Sequence, residues 1–284
     1  MADRRPQDLV FTLFGEFLLH HRRGPVWVGS LIALLEPLGV SESNVRTVLS
    51  RMMSKGWFRT IRQGRRSYYE LSERGRRLLE EGEARIYHPP RDAPWDGEWT
   101  LVAYSIPEER RELRDRLRLR LSWLGFGSLG NGLWISPHDA GDRVREAAVE
   151  LGVDEHLEAF RGGHLGVSDP ERLVAKCWDL EALNERYEAF IDRHLSGFLA
   201  LKEGGAKALP EREAYVRRFE LVHEYREFPL LDPYLPRPLH TPDWAGECAE
   251  SLLKVYREEL RGSADRFVES LVETPSVTHA SATV

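Results

Sequence analysis

Cysteine is nearly missing from this sequence. Cys177 and Cys248 are the only two in 284 residues, far apart and outside any CxxC spacing, which excludes a disulfide framework and a cysteine zinc cluster and suits a reducing cytoplasm. Long hydrophobic runs are missing too. None approaches roughly 18 uninterrupted apolar residues, so no membrane span is expected. The apolar stretch Leu9 to Leu19 is broken by Glu16 and followed by His20, His21, Arg22 and Arg23, where a signal peptide would carry small cleavage-site residues. A net positive charge is also absent. The chain sums to -6, with 42% hydrophobic and 30% charged residues; these proportions are close to globular averages and argue against a disordered or fibrous chain.

The charge that is present is segregated. Residues 1–88 carry 15 Lys and Arg against 10 Asp and Glu, a balance of +5, whereas the remainder carries 25 against 36, a balance of -11. A basic module facing an anionic partner, joined to an acidic body, is what such asymmetry implies. The length suffices for three domains, each with its own core.

Apolar residues recur at helical spacing over 7–21, and Gly24 and Pro25 end that pattern. A short extended Val26–Val28 leads to Ser30, read as the N-cap of a second helix that closes at Gly39. Ser41 caps a third, in which Val45, Val48, Leu49, Met52 and Met53 form one stripe. Residues 57–61 and 67–71 read as strands of a wing-like hairpin, Ser72 caps a fourth helix to about Glu83, and the prolines of 89–94 mark a linker. From Trp95 the order is βαββαβ: a strand over 100–105, a helix over 108–124, a hairpin over 127–136 turning at Asn131 and Gly132, a helix over 142–151 and a strand over 155–160. That order is ferredoxin-like. Beyond Pro170 the pattern is helical, over 179–201, 211–227 and from Asp243 to at least Leu260, with a proline-rich extended stretch between Pro229 and Pro242. The expected class is α+β: an N-terminal winged helix-turn-helix over 1–88, a central ferredoxin-like domain over 95–170 and a helical C-terminal domain over 171–284.

The third helix is the informative element. Opposite its apolar stripe it presents Ser43, Arg46, Thr47, Ser50, Arg51 and Ser54, with Asn44 beside them, on a face read as free of carboxylates. Arginine forks fit guanine edges, asparagine fits adenine, and short hydroxyls reach phosphates without filling the groove. Solvated helix faces more often mix acidic with basic residues, as the fourth helix does with Glu73, Glu80 and Glu81 among its arginines. The hairpin adds Arg59, Arg62, Gln63, Arg65 and Arg66 around Gly64, a ribbon suited to phosphates or the minor groove. Three other patterns carry less. Gly125, Gly127 and Gly130 match a dinucleotide fingerprint in spacing but follow a helix instead of a strand. His223 and Glu227 imitate a metal-binding pair with no third ligand. The arginines of 110–120 are interleaved with Glu108, Glu109, Glu112 and Asp115, which reads as a salt-bridged face. No catalytic residue, metal or cofactor is expected.

These residues resemble the PaaX-type repressors of phenylacetate degradation. The likeness rests on Thr12-Leu-Phe-Gly15, Trp27, Leu34-Leu-Glu-Pro-Leu-Gly39, Val45-Arg-Thr47, Gly56-Trp57, Gly64-Arg-Arg-Ser-Tyr-Tyr69, Trp95-Asp-Gly97, Leu221-Val-His-Glu-Tyr-Arg226, Leu231-Asp-Pro233 and Asp243-Trp244. It implies a homodimeric repressor of double-stranded operator DNA, released by an aryl-CoA thioester such as phenylacetyl-CoA. An acyl-CoA requires cations for its phosphates and an apolar slot for its acyl group; Arg161, His223, Arg226 and Trp244 are the residues available. The central domain also resembles the Cas2 nucleases, in which an acidic metal ligand ends the first strand. Here Ser105 stands in that place, and a neutral hydroxyl is a poor magnesium ligand. The alternatives are therefore a metal-dependent nuclease and a protein-interaction adaptor built on a degenerate winged helix.

Overall fold

A computed structural model of the chain describes residues 5–20, 24–89, 95–166, 169–204 and 209–275. The linker read over 89–94 lies, apart from Pro89, outside them. The chain divides into two compact units: one joins Met1–Tyr87 to Asp192–Arg226 and Glu250–Val284, the other joins His88–Ile191 to Glu227–Ala249.

In the first unit, α1 (Pro6–Leu13) runs on as one π-helical stretch over Phe14–Leu18. β1 (Val26–Trp27), α2 (Val28–Leu35), α3 (Glu42–Ser54), β2 (Phe58–Gln63), β3 (Arg66–Leu71) and α4 (Glu73–Tyr87) follow. The strands form an antiparallel sheet in the order β1-β3-β2. Leu13, Leu31, Leu34, Val45, Leu49 and Met52 fill the space between the helices, each nearly inaccessible. Met53, expected in that stripe, sits at its edge, 37% exposed, because its position falls beyond the arc that α1 and α2 cover. Gly75 lets α4 approach the start of β2: a Cβ there would lie 2.3 Å from the Trp57 carbonyl oxygen.

Three helices of the chain's second half complete this unit: the later part of α8 (Leu180–Gly204), α9 (Glu211–Tyr225) and the later part of α11 (Gly246–Leu271). They explain why α1 is buried on more than one face. Asp8, Thr12 and Glu16, spaced four apart and so on one side of the helix, meet three residues of α9 and its end. Arg226 lies 3.6 Å from Asp8, the His223 ring Nδ1 lies 2.8 Å from the Thr12 hydroxyl, and Arg218 Nε donates to Glu16 at 2.5 Å. Arg218 and Glu16 are each 1% exposed in their side chains. Arg218 also donates to Asp265, Arg257 Nε to Glu16 at 2.7 Å, and the Tyr87 hydroxyl to the second Glu16 oxygen at 2.7 Å. Burial and the Glu16 charge push the Tyr87 hydroxyl well above its usual range, so it stays a donor. That contact carries α4 to Tyr87, a turn past the expected Glu83. The Tyr215 hydroxyl, buried, caps a carbonyl near the end of α2 by donating to Leu34 at 2.7 Å.

The second unit contains β4 (Glu98–Tyr104), α5 (Arg111–Trp123), β5 (Gly127–Gly130), β6 (Leu133–Ser136), α6 (Gly141–Leu151) and β7 (Leu157–Gly163). The sheet order is β5-β6-β4-β7 with antiparallel neighbours throughout, as a ferredoxin-like unit requires. Asn131 and Gly132 both have positive φ, 49° and 78°, the conformation of a tight hairpin turn. β7 begins two residues later than expected, since residues 154–156 form a 3₁₀ turn, and runs through Gly162 and Gly163 because β4 pairs with both. Val102, Leu117, Leu121, Trp134, Val144 and Ala147 make the core under α5 and α6. Trp99, Ile135, Val174, Leu180, Leu235 and Leu239 make a second core on the other face, beneath α7 (Pro170–Cys177) and the start of α8 (Leu180–Gly204). A short α10 (Phe228–Leu231) opens the proline-rich stretch.

Candidate nucleic-acid interface

α3 begins where the Ser41 hydroxyl accepts the Asn44 backbone N–H at 3.4 Å. Its inward residues Val45, Val48, Leu49 and Met52 are buried, and Ser43, Asn44, Arg46, Thr47, Ser50 and Arg51 are all exposed. The periodicity therefore turns every one of the six toward solvent. Their chemistry is not uniform. Arg46 Nε donates to Glu42 at 3.0 Å, one turn earlier, so the reading of this face as carboxylate-free is corrected: Glu42 sits at its edge. The Thr47 hydroxyl donates to the Ser43 carbonyl at 2.8 Å, a local bond that leaves its lone pairs for a further donor. The Arg51 guanidinium has no ion-pair or hydrogen-bond partner among the described residues, although its carbonyl accepts from the Ser54 hydroxyl at 2.8 Å.

The hairpin divides in the same way. Gln63 pairs with Arg66 at the end of the ladder, leaving Gly64 and Arg65 as a two-residue turn, with Gly64 at φ 58°. Glycine takes that conformation without strain at the first turn position. Arg62 pairs with Ser67, on the sheet face that carries Phe58 and Leu71; Arg59, Gln63 and Arg66 occupy the other face. The guanidinium groups of Arg62 and Arg65 have no partner among the described residues. Arg59 lies 3.3 Å from Glu70, and Arg66 donates to Glu273 at 2.5 Å while its guanidinium stands 4.5 Å from the centre of the Trp27 ring. The tip is thus not one cluster of four equivalent arginines.

Two partners here escaped sequence reading. Glu42 precedes Arg46 by four residues, a spacing legible in the sequence; Glu273 is 207 residues from Arg66 and carries no local signal. Ser30 is corrected too: it lies inside α2, and its hydroxyl accepts the Glu273 backbone N–H at 2.9 Å, while α2 starts after Trp27 with no side-chain cap.

Three family models account for most of the chain: a PaaX-like protein over 5–75, the PaaX protein central Cas2-like domain over 92–174 and the PaaX-like protein C-terminal domain over 178–270. Over 270 residues the chain is 36% identical to the transcriptional repressor PaaX of Escherichia coli, a match covering 94% of this chain and 84% of that protein. The chain belongs to the PaaX family. An uncharacterized Mycobacterium tuberculosis protein, Rv0674, shares the fold with a TM-score of 0.58 at 22% identity, over 92% of this chain and 97% of that one.

Within this PaaX family chain the four residues considered for an effector fall in different units. His223 and Arg226 tie α9 to α1, as described above. In the other unit, Arg161 of β7 lines a cavity of about 360 Å³ with Thr100, Asp139, Arg145, Glu158 and Phe160. Its guanidinium is already held by Asp96 at 2.6 Å and Glu98 at 2.9 Å, with Asp139 at 4.0 Å, so a phosphate there would have to displace carboxylates. The Trp244 ring packs against Tyr187, 5.5 Å between centres, and its indole N–H is buried without an acceptor. Ser105, where the Cas2 ligand would stand, follows β4 with its side chain exposed and its backbone N–H donating to His156 at 3.0 Å. Among the described residues no group of three or more His, Cys, Asp or Glu is arranged to hold a metal, and no helix is long and apolar enough to cross a membrane.

Proposed function

We propose that this chain is a cytoplasmic, DNA-binding transcriptional repressor and no enzyme, and that α2, α3 and the β2–β3 hairpin act as a winged helix-turn-helix. The reading is carried by one observation: the exposed face of α3 and the hairpin tip hold arginines, Arg51, Arg62 and Arg65, that no carboxylate among the described residues neutralises. α3 enters the major groove, where Asn44, Arg46, Ser50 and Arg51 reach base edges and Ser43 and Thr47 reach the backbone. The wing arginines and Gln63 contact phosphates or the minor groove. One winged helix covers too little duplex for tight specificity, so the repressor works as a homodimer on a pseudo-palindrome with half-sites about one helical turn or a multiple apart. The segments 1–88, 95–170 and 171–284 serve as DNA-binding, scaffold or dimerisation, and effector-binding or dimerisation parts.

Family membership and the name of the Escherichia coli relative support control of an aromatic-acid catabolic operon, relieved by phenylacetyl-CoA or a related aryl-CoA. His223 and Arg226 would then act on the DNA-binding part through α1, whereas Arg161 and Trp244 would contact the effector within the other unit. The experiment is a selection of genomic fragments by the purified protein at moderate salt, with phenylacetyl-CoA or free phenylacetate added in parallel. A palindromic site lost only with the thioester is the expected result. Enrichment that ignores both ligands removes the proposed effector, and no enrichment removes the repressor.

A further inference from the structure

Glu273 makes three bonds that converge on the wing. Its backbone N–H donates to the Ser30 hydroxyl at 2.9 Å, its carbonyl accepts the Trp27 N–H at 2.9 Å, and its carboxylate accepts from Arg66 at 2.5 Å. The two backbone bonds fix the chain just beyond α11 against β1 and the start of α2, so the carboxylate is delivered to Arg66 from a fixed point instead of by a free tail. Trp27 supplies the other wall of the site, its ring face 4.5 Å from the guanidinium. The pair stays wet: Arg66 and Glu273 are 50% and 51% exposed in their side chains, so solvent and a competing anion have access.

We propose that Glu273 is an internal phosphate mimic, a latch that holds Arg66 away from DNA and sets the affinity of the wing. The inference rests on the DNA-binding reading above. A carboxylate and a phosphate oxygen present the same acceptors to an arginine fork, and Arg66 cannot fully serve both. Arg62 and Arg65, with no such partner among the described residues, supply the standing attraction; Arg66 is the reserve. Any ligand or partner that draws Glu273 from its seat releases one more cation to the duplex, so the end of α11 can raise DNA affinity without touching DNA. A positioning role predicts the opposite sign, because a carboxylate that aimed Arg66 at the phosphate would weaken binding when removed.

The test is a salt titration of affinity for a random-sequence duplex, with wild type, Glu273→Gln, Arg66→Ala, the double variant and Arg62→Ala. Gln keeps the size and both backbone bonds. Glu273→Gln is expected to bind several-fold more tightly at low salt, with a salt slope steeper by about 0.9, the signature of one additional phosphate contact. Arg66→Ala is expected to abolish the gain: the double variant should bind no more tightly than Arg66→Ala alone, with no steeper salt slope. Unchanged or weaker binding by Glu273→Gln, with Arg62→Ala clearly weaker than wild type, overturns the latch and keeps the interface. If Arg62→Ala also binds as wild type does, the interface reading fails and takes the latch with it.

Discussion

Arg218 and Arg51 are the same residue type in opposite settings. Arg218, 1% exposed, is enclosed by Glu16 and Asp265 where α9 meets α1 and α11; the Arg51 side chain stands in solvent on α3 with no partner among the described residues. Burial determines what each does. A guanidinium removed from water must be matched by carboxylates, and the match fixes which helices lie together. An exposed one costs the fold nothing and keeps its donors for a ligand. The comparison separates the arginines that hold this protein together from those it offers to DNA.

The largest effect should come from breaking the buried side. Arg218→Ala leaves Glu16, among the described residues, with Arg257 and Tyr87 and is expected to cost about 3–5 kcal/mol, read as a lower denaturant midpoint. A loss below about 1 kcal/mol would mean that water or a neighbour replaces the guanidinium. Next in size is Arg51→Ala. On the protein's own operator it should cost about 1–3 kcal/mol of binding and relax preference at one base pair, with stability changed by no more than about 0.5 kcal/mol. Arg62→Ala and Arg65→Ala should each weaken all sequences alike and reduce the salt slope by about 0.9, measured by titration on operator and random duplex. The smallest effects belong to Arg46→Ala and Arg59→Ala, whose guanidinium groups Glu42 and Glu70 already engage. A loss at Arg46 equal to that at Arg51 would show that Glu42 aims its partner at the groove.

Much of this was legible beforehand. The stripe of Val45, Val48, Leu49 and Met52 declares both faces of α3 through the helical period, and Asn131-Gly132 declares its turn through the positive φ that those residues tolerate. Alternation along β4 was legible as a strand but not as a doubly covered one: Trp99 and Val102 belong to separate cores on opposite faces. What stayed hidden is long-range pairing. Ser30 looks like a cap because cap chemistry is local, yet its hydroxyl serves a backbone N–H 243 residues away. Asp8, Thr12 and Glu16 stand out as a polar stripe on an apolar helix, but nothing near them names α9 as the partner. The His223 to Arg226 motif, conversely, gave no sign in the sequence of its contacts with Thr12 and Asp8, which lie at the other end of the chain.

The central claim is that uncommitted arginines contribute more to operator affinity than arginines already paired with a carboxylate. The most direct measurement is the operator affinity of Arg51→Ala beside its thermal midpoint. A loss of roughly five-fold or more with an unchanged midpoint is the predicted result; wild-type affinity in a fully folded variant would contradict it.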